Sequence, residues 1–269
     1  MGSTVKMLLW VWVVLDLGFC SVSLPEITDK NFIDECVREH NRARSSVNPP
    51  ASDMLYMTWD EALAITARAW ARRCIFDHNI YLKDVRRVHP TYSSVGENIW
   101  TGYPPSSFDT SNAIQSWVDE KQAYNYEGNR CRNVCGHYTQ VVWASSYKVG
   151  CAVVLCPKGV THFDAREGAI FVCNYATAGN MIGTKPYKSQ GAPCSGCEGT
   201  CENSLCRSNE RDSPKSYNWA PDWVDQDPAF TTSDYTYVSV LVTRPIALIF
   251  TFIVAYAVRY FYPNVFCYE

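Results

Sequence analysis

Eleven cysteines lie between Cys36 and Cys206, downstream of an N-terminus that reads as an export signal, and this pairing constrains the chain more than any other feature. A single Lys6 precedes the apolar run Met7-Leu8-Leu9-Trp10-Val11-Trp12-Val13-Val14-Leu15, and small residues follow at Ser21 and Ser23. Those three parts predict a secretory signal over residues 1–23, cleaved after Ser23. The run falls short of the roughly 20 apolar residues that cross a bilayer, and Lys6 stands where a myristoylation signal needs Ser or Thr. Thiols oxidise in an exported chain, so the cysteine density predicts a fold stapled by disulfides. In the cytosol the spacing of Cys194, Cys197, Cys201 and Cys206 would suggest zinc; after an export signal it reads as a disulfide knot.

A chain of 269 residues, 47% apolar and 19% charged, suits one domain of ordinary size with tails. The net charge of -3, with Lys and Arg spread among a slight excess of acids, gives no hint of a polyanionic partner and sets nucleic-acid binding aside. Thr28 and Asp29 can cap a helix carrying Phe32, Ile33, Cys36 and Val37 at helical spacing and running to Arg44, before Asn48-Pro49-Pro50 ends it. A second, Ala-rich helix starts after Trp59-Asp60 and runs to Cys74, and a third spans Thr110 to Tyr124. Between them, residues 76–109 read as one long loop. Gly150–Cys156 and Ala169–Tyr175 are short, β-branched and apolar, which predicts buried strands. Helices first and strands later is the order of an α+β layered domain.

Past Asn180 the chain becomes turn-rich, and residues 207–237 read as a polar stalk. The segment Val238 to Val258 is long enough to cross a membrane once, with Tyr235, Tyr237, Tyr260 and Tyr262 at its ends and Arg259 after it. Arg244-Pro245 interrupts it, so a glycolipid-anchor signal with attachment at Thr231, Thr232 or Ser233 is the alternative, and a secreted form is the third.

Gly136-His137-Tyr138-Thr139-Gln140-Val141-Val142-Trp143-Ala144-Ser145-Ser146 resembles a signature of the CAP superfamily of cysteine-rich secretory, venom-allergen and pathogenesis-related proteins. Phe171 to Asn180 approximates a second signature, and His40-Asn41-Arg42-Ala43-Arg44 and Gly96-Glu97-Asn98-Ile99 are shorter ones in the same order. The hydrophobic end and the cysteine pattern look most like the glioma pathogenesis-related branch. The resemblance covers about Ile27 to Cys206 and implies a three-layer α/β/α sandwich over 24–185 with a cysteine-rich hinge over 186–206; the composition beyond it predicts the stalk over 207–237, a transmembrane helix over 238–258 and a tail over 259–269. It further implies that His78, Glu97, Glu120 and His137 converge in a cleft that in some relatives holds a divalent metal. Two imidazoles and two carboxylates are sensible ligands for Zn2+; each carboxylate could instead cap a helix or a loop.

By analogy with relatives, Cys74 pairs with Cys156, Cys151 with Cys173, Cys194 with Cys201 and Cys197 with Cys206, leaving Cys36, Cys131 and Cys135 unassigned. The function expected is non-catalytic: an extracellular module binding a lipid or sterol, a divalent metal or a protein partner, and attached to the membrane by its C-terminal segment. Relatives are reported to bind sterols and fatty acids. The alternative is a metal-dependent hydrolase built on the same four residues, although no Gly-x-Ser-x-Gly elbow and no His-Glu-x-x-His helix occurs. Ion-channel modulation belongs to relatives with a further cysteine-rich module, absent here, and no Asn-x-Ser/Thr triplet signals glycosylation.

Overall fold

The structure, a computed structural model, describes residues 23–224 and 230–261, the latter as backbone alone up to 243. Residues 1–22 of the signal expected over 1–23, with Cys20 among them, and Cys267 lie outside the described residues. The chain divides after Asp222 into a globular unit, Ser23–Asp222, and a separate unit containing the C-terminal helix.

Three helices of the globular unit start where an aspartate can accept an otherwise unpaired backbone N–H. Asp29 accepts from Asn31 N at 2.8 Å and opens α1, Lys30–Ser45. Asp60 accepts from Leu63 N at 3.1 Å and opens α2, Glu61–Ala71. Asp109 accepts from Asn112 N at 2.8 Å and opens α3, Thr110–Asp119. Helix α2 ends before the expected Cys74, which adopts a φ of 52° and turns the chain toward its disulfide partner. Helix α3 also ends early, tightening into a 3-10 turn over Glu120–Ala123, and a fourth short helix, α4, spans Gly136–Val141.

The central sheet has the order β1-β5-β6-β2, with β1 Thr58–Trp59, β2 Gly96–Gly102, β5 Lys148–Cys156 and β6 Gly168–Ala176. β5, β6 and β2 form an antiparallel meander, and β1 joins β5 in parallel. Two small hairpins, β3–β4 (Tyr124–Asn125 and Arg130–Cys131) and β7–β8 (Thr200–Glu202 and Leu205–Arg207), lie outside it. Helix α2 packs on one face of the sheet; α1, α3 and α4 form the other layer, where Phe32, Trp117, Tyr138, Phe171 and Tyr175 share the core. This is the expected three-layer sandwich. A Cβ on Gly150 would sit 2.2 Å from Ala64 N and 2.5 Å from Asp60 O, so only glycine lets α2 approach β5 this closely.

The strand β2 is a correction, since its residues fall inside the stretch read as loop. Its Glu97 and Asn98 are polar, yet both are buried with partners from distant segments, so no apolar alternation marked it.

Cys74–Cys156, Cys151–Cys173, Cys194–Cys201 and Cys197–Cys206 pair as the resemblance implied. Of the three left unassigned, Cys131 pairs with Cys135, and Cys36 is a free, buried thiol. The hinge is pinned to the domain through Cys206 N to Met54 O at 2.8 Å and Gly196 N to Ser52 O at 2.8 Å. The polar stretch read as a stalk lies, up to Asp222, within the globular unit. Tyr217 Oη donates to Asp60 Oδ2 at 2.8 Å, Lys148 Nζ to Ser213 O at 3.1 Å, and Arg87 pairs with Asp222 at 2.9 Å.

In the second unit, helix α6 runs from Phe230 to Phe261 with Pro245 inside it, after a short α5 at Asn209–Asp212 in the globular unit. Among the described residues no helix is long and apolar enough to cross a membrane. The expected span over 238–258 extends into residues whose side chains are not described.

Candidate functional site

Strand β2 organises the site, because successive residues along it face opposite ways. Glu97 reaches toward the loop after α2, and Asn98 reaches toward α4. The Glu97 side chain is fully buried, and its Oε1 accepts from His78 Nδ1 and from Asn79 N, each at 2.9 Å. Burial pushes the Glu97 carboxyl above its usual range; the hydrogen bond to Glu97 raises the His78 imidazole in turn. Glu97 Oε2 is buried without a hydrogen-bond partner among the described residues, so the carboxyl has unused capacity. The His78 side chain is 62% exposed.

Glu120 stands where α3 tightens into its last turn, and it closes the N-terminus of α4. Its Oε2 accepts from His137 N at 3.0 Å and Tyr138 N at 3.3 Å, while Oε1 accepts from His137 Nδ1 at 2.6 Å. The indole of Trp117 lies nearly parallel to the His137 ring, 6.1 Å away, and donates through Nε1 to Ile99 O on β2.

The four expected residues form two pairs, His78 with Glu97 and Glu120 with His137. The pairs are tied through β2, since Asn98, next to Glu97, donates through Nδ2 to His137 O at 3.1 Å. Among the described residues no group of three or more His, Cys, Asp or Glu is set to hold a metal ion. In each pair the carboxylate holds Nδ1, which orients the ring and keeps Nε2 as its free nitrogen, the arrangement found behind metal-ligating histidines. The donor set thus fits a metal taken by imidazole nitrogens with carboxylates behind them better than it fits four direct ligands.

A relay of donors runs from this site into the core. Asn98 Nδ2 also donates to Tyr175 Oη at 3.2 Å, Tyr175 Oη donates to His40 Nε2 at 2.8 Å, and His40 Nδ1 donates to Cys36 O at 2.7 Å. His40 is neutral in this arrangement, with burial lowering its pKa to about 4. Arg44, from the same motif, donates to the carbonyls of Leu55, Val141, Trp143 and Ala144. These motif residues bind backbone, not ligand.

Two features escaped sequence reasoning. His89 is buried against Asp60: its Nδ1 accepts from Thr91 N and Tyr92 N, so Nε2–H donates to Asp60 Oδ1 at 3.1 Å. Burial works against the Asp60 charge, and hydrogen bonds from His89, Leu63 N and Tyr217 overcome it, holding the carboxyl below its usual range. The second is an open groove of about 720 Å³ lined by Leu55, Tyr126, Trp143, Met181, Pro186 and Tyr187 among others, with none of the four site residues in its wall. Its lining is scattered from Asp53 to Cys197, so no sequence window contained it.

A disulfide-stapled three-layer sandwich with one His–carboxylate pair anchored on an edge strand and a second at the start of α4 defines the class of the domain. The chain belongs to the CAP family, the cysteine-rich secretory protein family, which it matches over residues 37–175. It is 48% identical over 229 residues to GLIPR1-like protein 1 of Bos taurus, covering 82% of this chain and 91% of that protein. It is 44% identical over 261 residues to glioma pathogenesis-related protein 1 of Mus musculus, covering 94% and 95%. Among solved structures it resembles NaASP2, crystallised with Zn2+, at a TM-score of 0.54 and 29% identity over 66% of this chain and 96% of that one. Its place is extracellular, as for the CAP family.

Proposed function

We propose that this chain is a non-catalytic extracellular binding module that takes a lipid or sterol in its apolar groove and a divalent metal such as Zn2+ at His78 and His137, and that its C-terminal helix tethers it to a membrane for a role in defence or growth-related signalling. The groove carries the reading: its volume of about 720 Å³ lies within the roughly 300–1,000 Å³ of small-molecule sites, and Tyr126, Trp143, Met181 and Tyr187 give it an apolar wall. The metal reading is supported by the two carboxylate-backed imidazoles, and by a relative, NaASP2, solved with Zn2+. Zn2+ there would lower the pKa of bound water and polarise a ligand oxygen. The tether is supported by the exposed apolar side chains of α6, with Phe250 67% and Phe252 74% exposed.

Hydrolysis by the same four residues is less well supported. A general base needs a carboxylate that can reach water, whereas Glu97 has no exposed side-chain surface and Glu120 already accepts three hydrogen bonds.

Titration of the protein with sterol, fatty acid and phospholipid should give saturable binding of at least one, weakened by Met181→Glu at the groove wall. Zn2+ calorimetry should lose its signal in His78→Ala and His137→Ala. Absence of saturable lipid binding removes the lipid reading, and unchanged Zn2+ affinity in both histidine variants removes the metal reading. Carbonate extraction of membranes from expressing cells should leave the chain in the pellet; release into the supernatant removes the tether.

A further inference from the structure

Asn174 belongs to the second signature, Phe171 to Asn180, and neither His–carboxylate pair uses it. It stands on β6 directly opposite Glu97 of β2, so the two side chains leave the same face of the sheet with Cβ atoms about 4.5–5.5 Å apart. That face is the one α2 covers, and Asn174 Nδ2 donates to Leu63 O at 3.4 Å, which fixes the amide and leaves Oδ1 as its unused end. Asn174 is fully buried, and this Oδ1 has no hydrogen-bond partner. Glu97 Oε2, in a side chain equally buried, has none either. Asn79 holds the other oxygen of the same carboxyl, its N–H donating to Glu97 Oε1 at 2.9 Å. Its side-chain Oδ1 accepts from Tyr81 N at 2.9 Å, so the amide nitrogen is the unused end, and Asn79 Nδ2 is buried without a partner too.

We propose that Asn79, Glu97 and Asn174 form an internal site for one water molecule, which donates to Glu97 Oε2 and Asn174 Oδ1 and accepts from Asn79 Nδ2. A buried polar atom left unpaired costs free energy, and buried waters are held by such atoms, typically about three of them. The count selects the ligand. Two of the atoms here are acceptors and one is a donor, and water gives two hydrogen bonds while accepting a third. A proton on Glu97 Oε2 aimed at Asn174 Oδ1 would serve the two acceptors and leave the Asn79 amide orphaned; a cation would face that amide's hydrogens. The water ties the loop after α2 to β2 and β6 and holds Glu97 from behind, so that Oε1 stays on the His78 ring. Asn174 is thereby a positioning residue for His78, and it acts whether or not a metal or a lipid is bound.

The test uses the full chain without added metal. A high-resolution crystal structure should show one water within about 2.7–3.2 Å of all three atoms, and an isotope-labelled sample should show a nuclear Overhauser effect between a long-lived water and the Asn79 side-chain amide. Asn174→Leu, close in size but without the acceptor, should lose that effect and shift the His78 ring resonances more than those of His137. If Asn174→Leu does not fold, the two wild-type measurements decide alone. A site without water density, a direct contact of about 2.5–2.7 Å between Glu97 Oε2 and Asn174 Oδ1 that marks a shared proton, a water signal that persists in Asn174→Leu, or equal shifts of both rings each overturns the proposal.

Discussion

Replacing Glu120 distinguishes a residue that builds the site from one that only binds at it. In the metal-free protein its carboxylate accepts from two backbone N–H groups at the start of α4 and from the His137 ring. Loss of a cap costs about 1 kcal/mol, and loss of a hydrogen bond between a charged acceptor and a donor about 1.5–3 kcal/mol. Glu120→Ala should therefore destabilise the globular unit by about 2–4 kcal/mol, since His137 is only 26% exposed and water replaces the lost acceptor poorly. For a unit spanning Ser23–Asp222, that corresponds to a fall in melting temperature of about 5–15 °C. Glu120→Gln keeps one acceptor oxygen and should cost less than half as much. Calorimetry in EDTA under oxidising conditions reads both variants. A carboxylate needed only as a metal ligand would be neutral to remove when no metal is present, so a melting temperature within about 1 °C of wild type refutes the capping argument.

Arg44→Met leaves the carbonyls of Leu55, Val141, Trp143 and Ala144 without their shared donor, and should cost about 3–5 kcal/mol by urea unfolding; less than about 1 kcal/mol would show that those carbonyls find other partners. Gly150→Ala forces a Cβ into the backbone of α2 and should cost about 1–3 kcal/mol or more, seen as lost secretion or a lower urea midpoint, whereas Gly183→Ala, with nothing within 4 Å, meets only its own φ of 77° and should cost less. His40 titrates near 4 when folded and near 6.5 when unfolded, so its contribution is present above pH 6.5 and is lost as pH falls toward 4. The loss should reach about 3 kcal/mol and be absent in His40→Gln, with urea midpoints at several pH values as the readout. The His78–Glu97 pair runs the other way. Both folded pKa values are raised, so its contribution is lost as pH rises through them, and an NMR titration of His78 should place its midpoint above the ordinary imidazole value.

The elements legible in the sequence were those whose signals are local. Asp29 announced the first helix because a cap and its helix are adjacent in the chain, the other two showed in their apolar spacing, and β5 and β6 were apolar enough to read directly. β2 was hidden because Glu97 and Asn98 are buried by partners supplied from Asn79, His137 and Tyr175, which no window around residue 97 contains. The same reason hid His89, whose carboxylate partner stands 29 positions earlier. The packing of residues 207–222 on the domain was hidden because its anchors, Tyr217 and Asp222, are polar and look like linker.

The site residues named by the motifs are inseparable from the fold, and this bears on how binding can evolve or be lost. Glu120 positions His137 by the same three hydrogen bonds that start α4, and Asn98 holds the His137 carbonyl while closing the relay to Tyr175 and His40. A ring fixed in this way has its Nε2 aimed before any ligand arrives, so little ordering entropy remains to oppose binding. Disturbance deep in α1 can then reach the site without touching it, since a charge on His40 would put a proton where Tyr175 now donates and unseat Asn98. The groove has no such coupling: its wall holds none of the four residues. An apolar ligand and a metal would therefore bind this domain independently, and a variant that loses one while keeping the other is the expected outcome at either place.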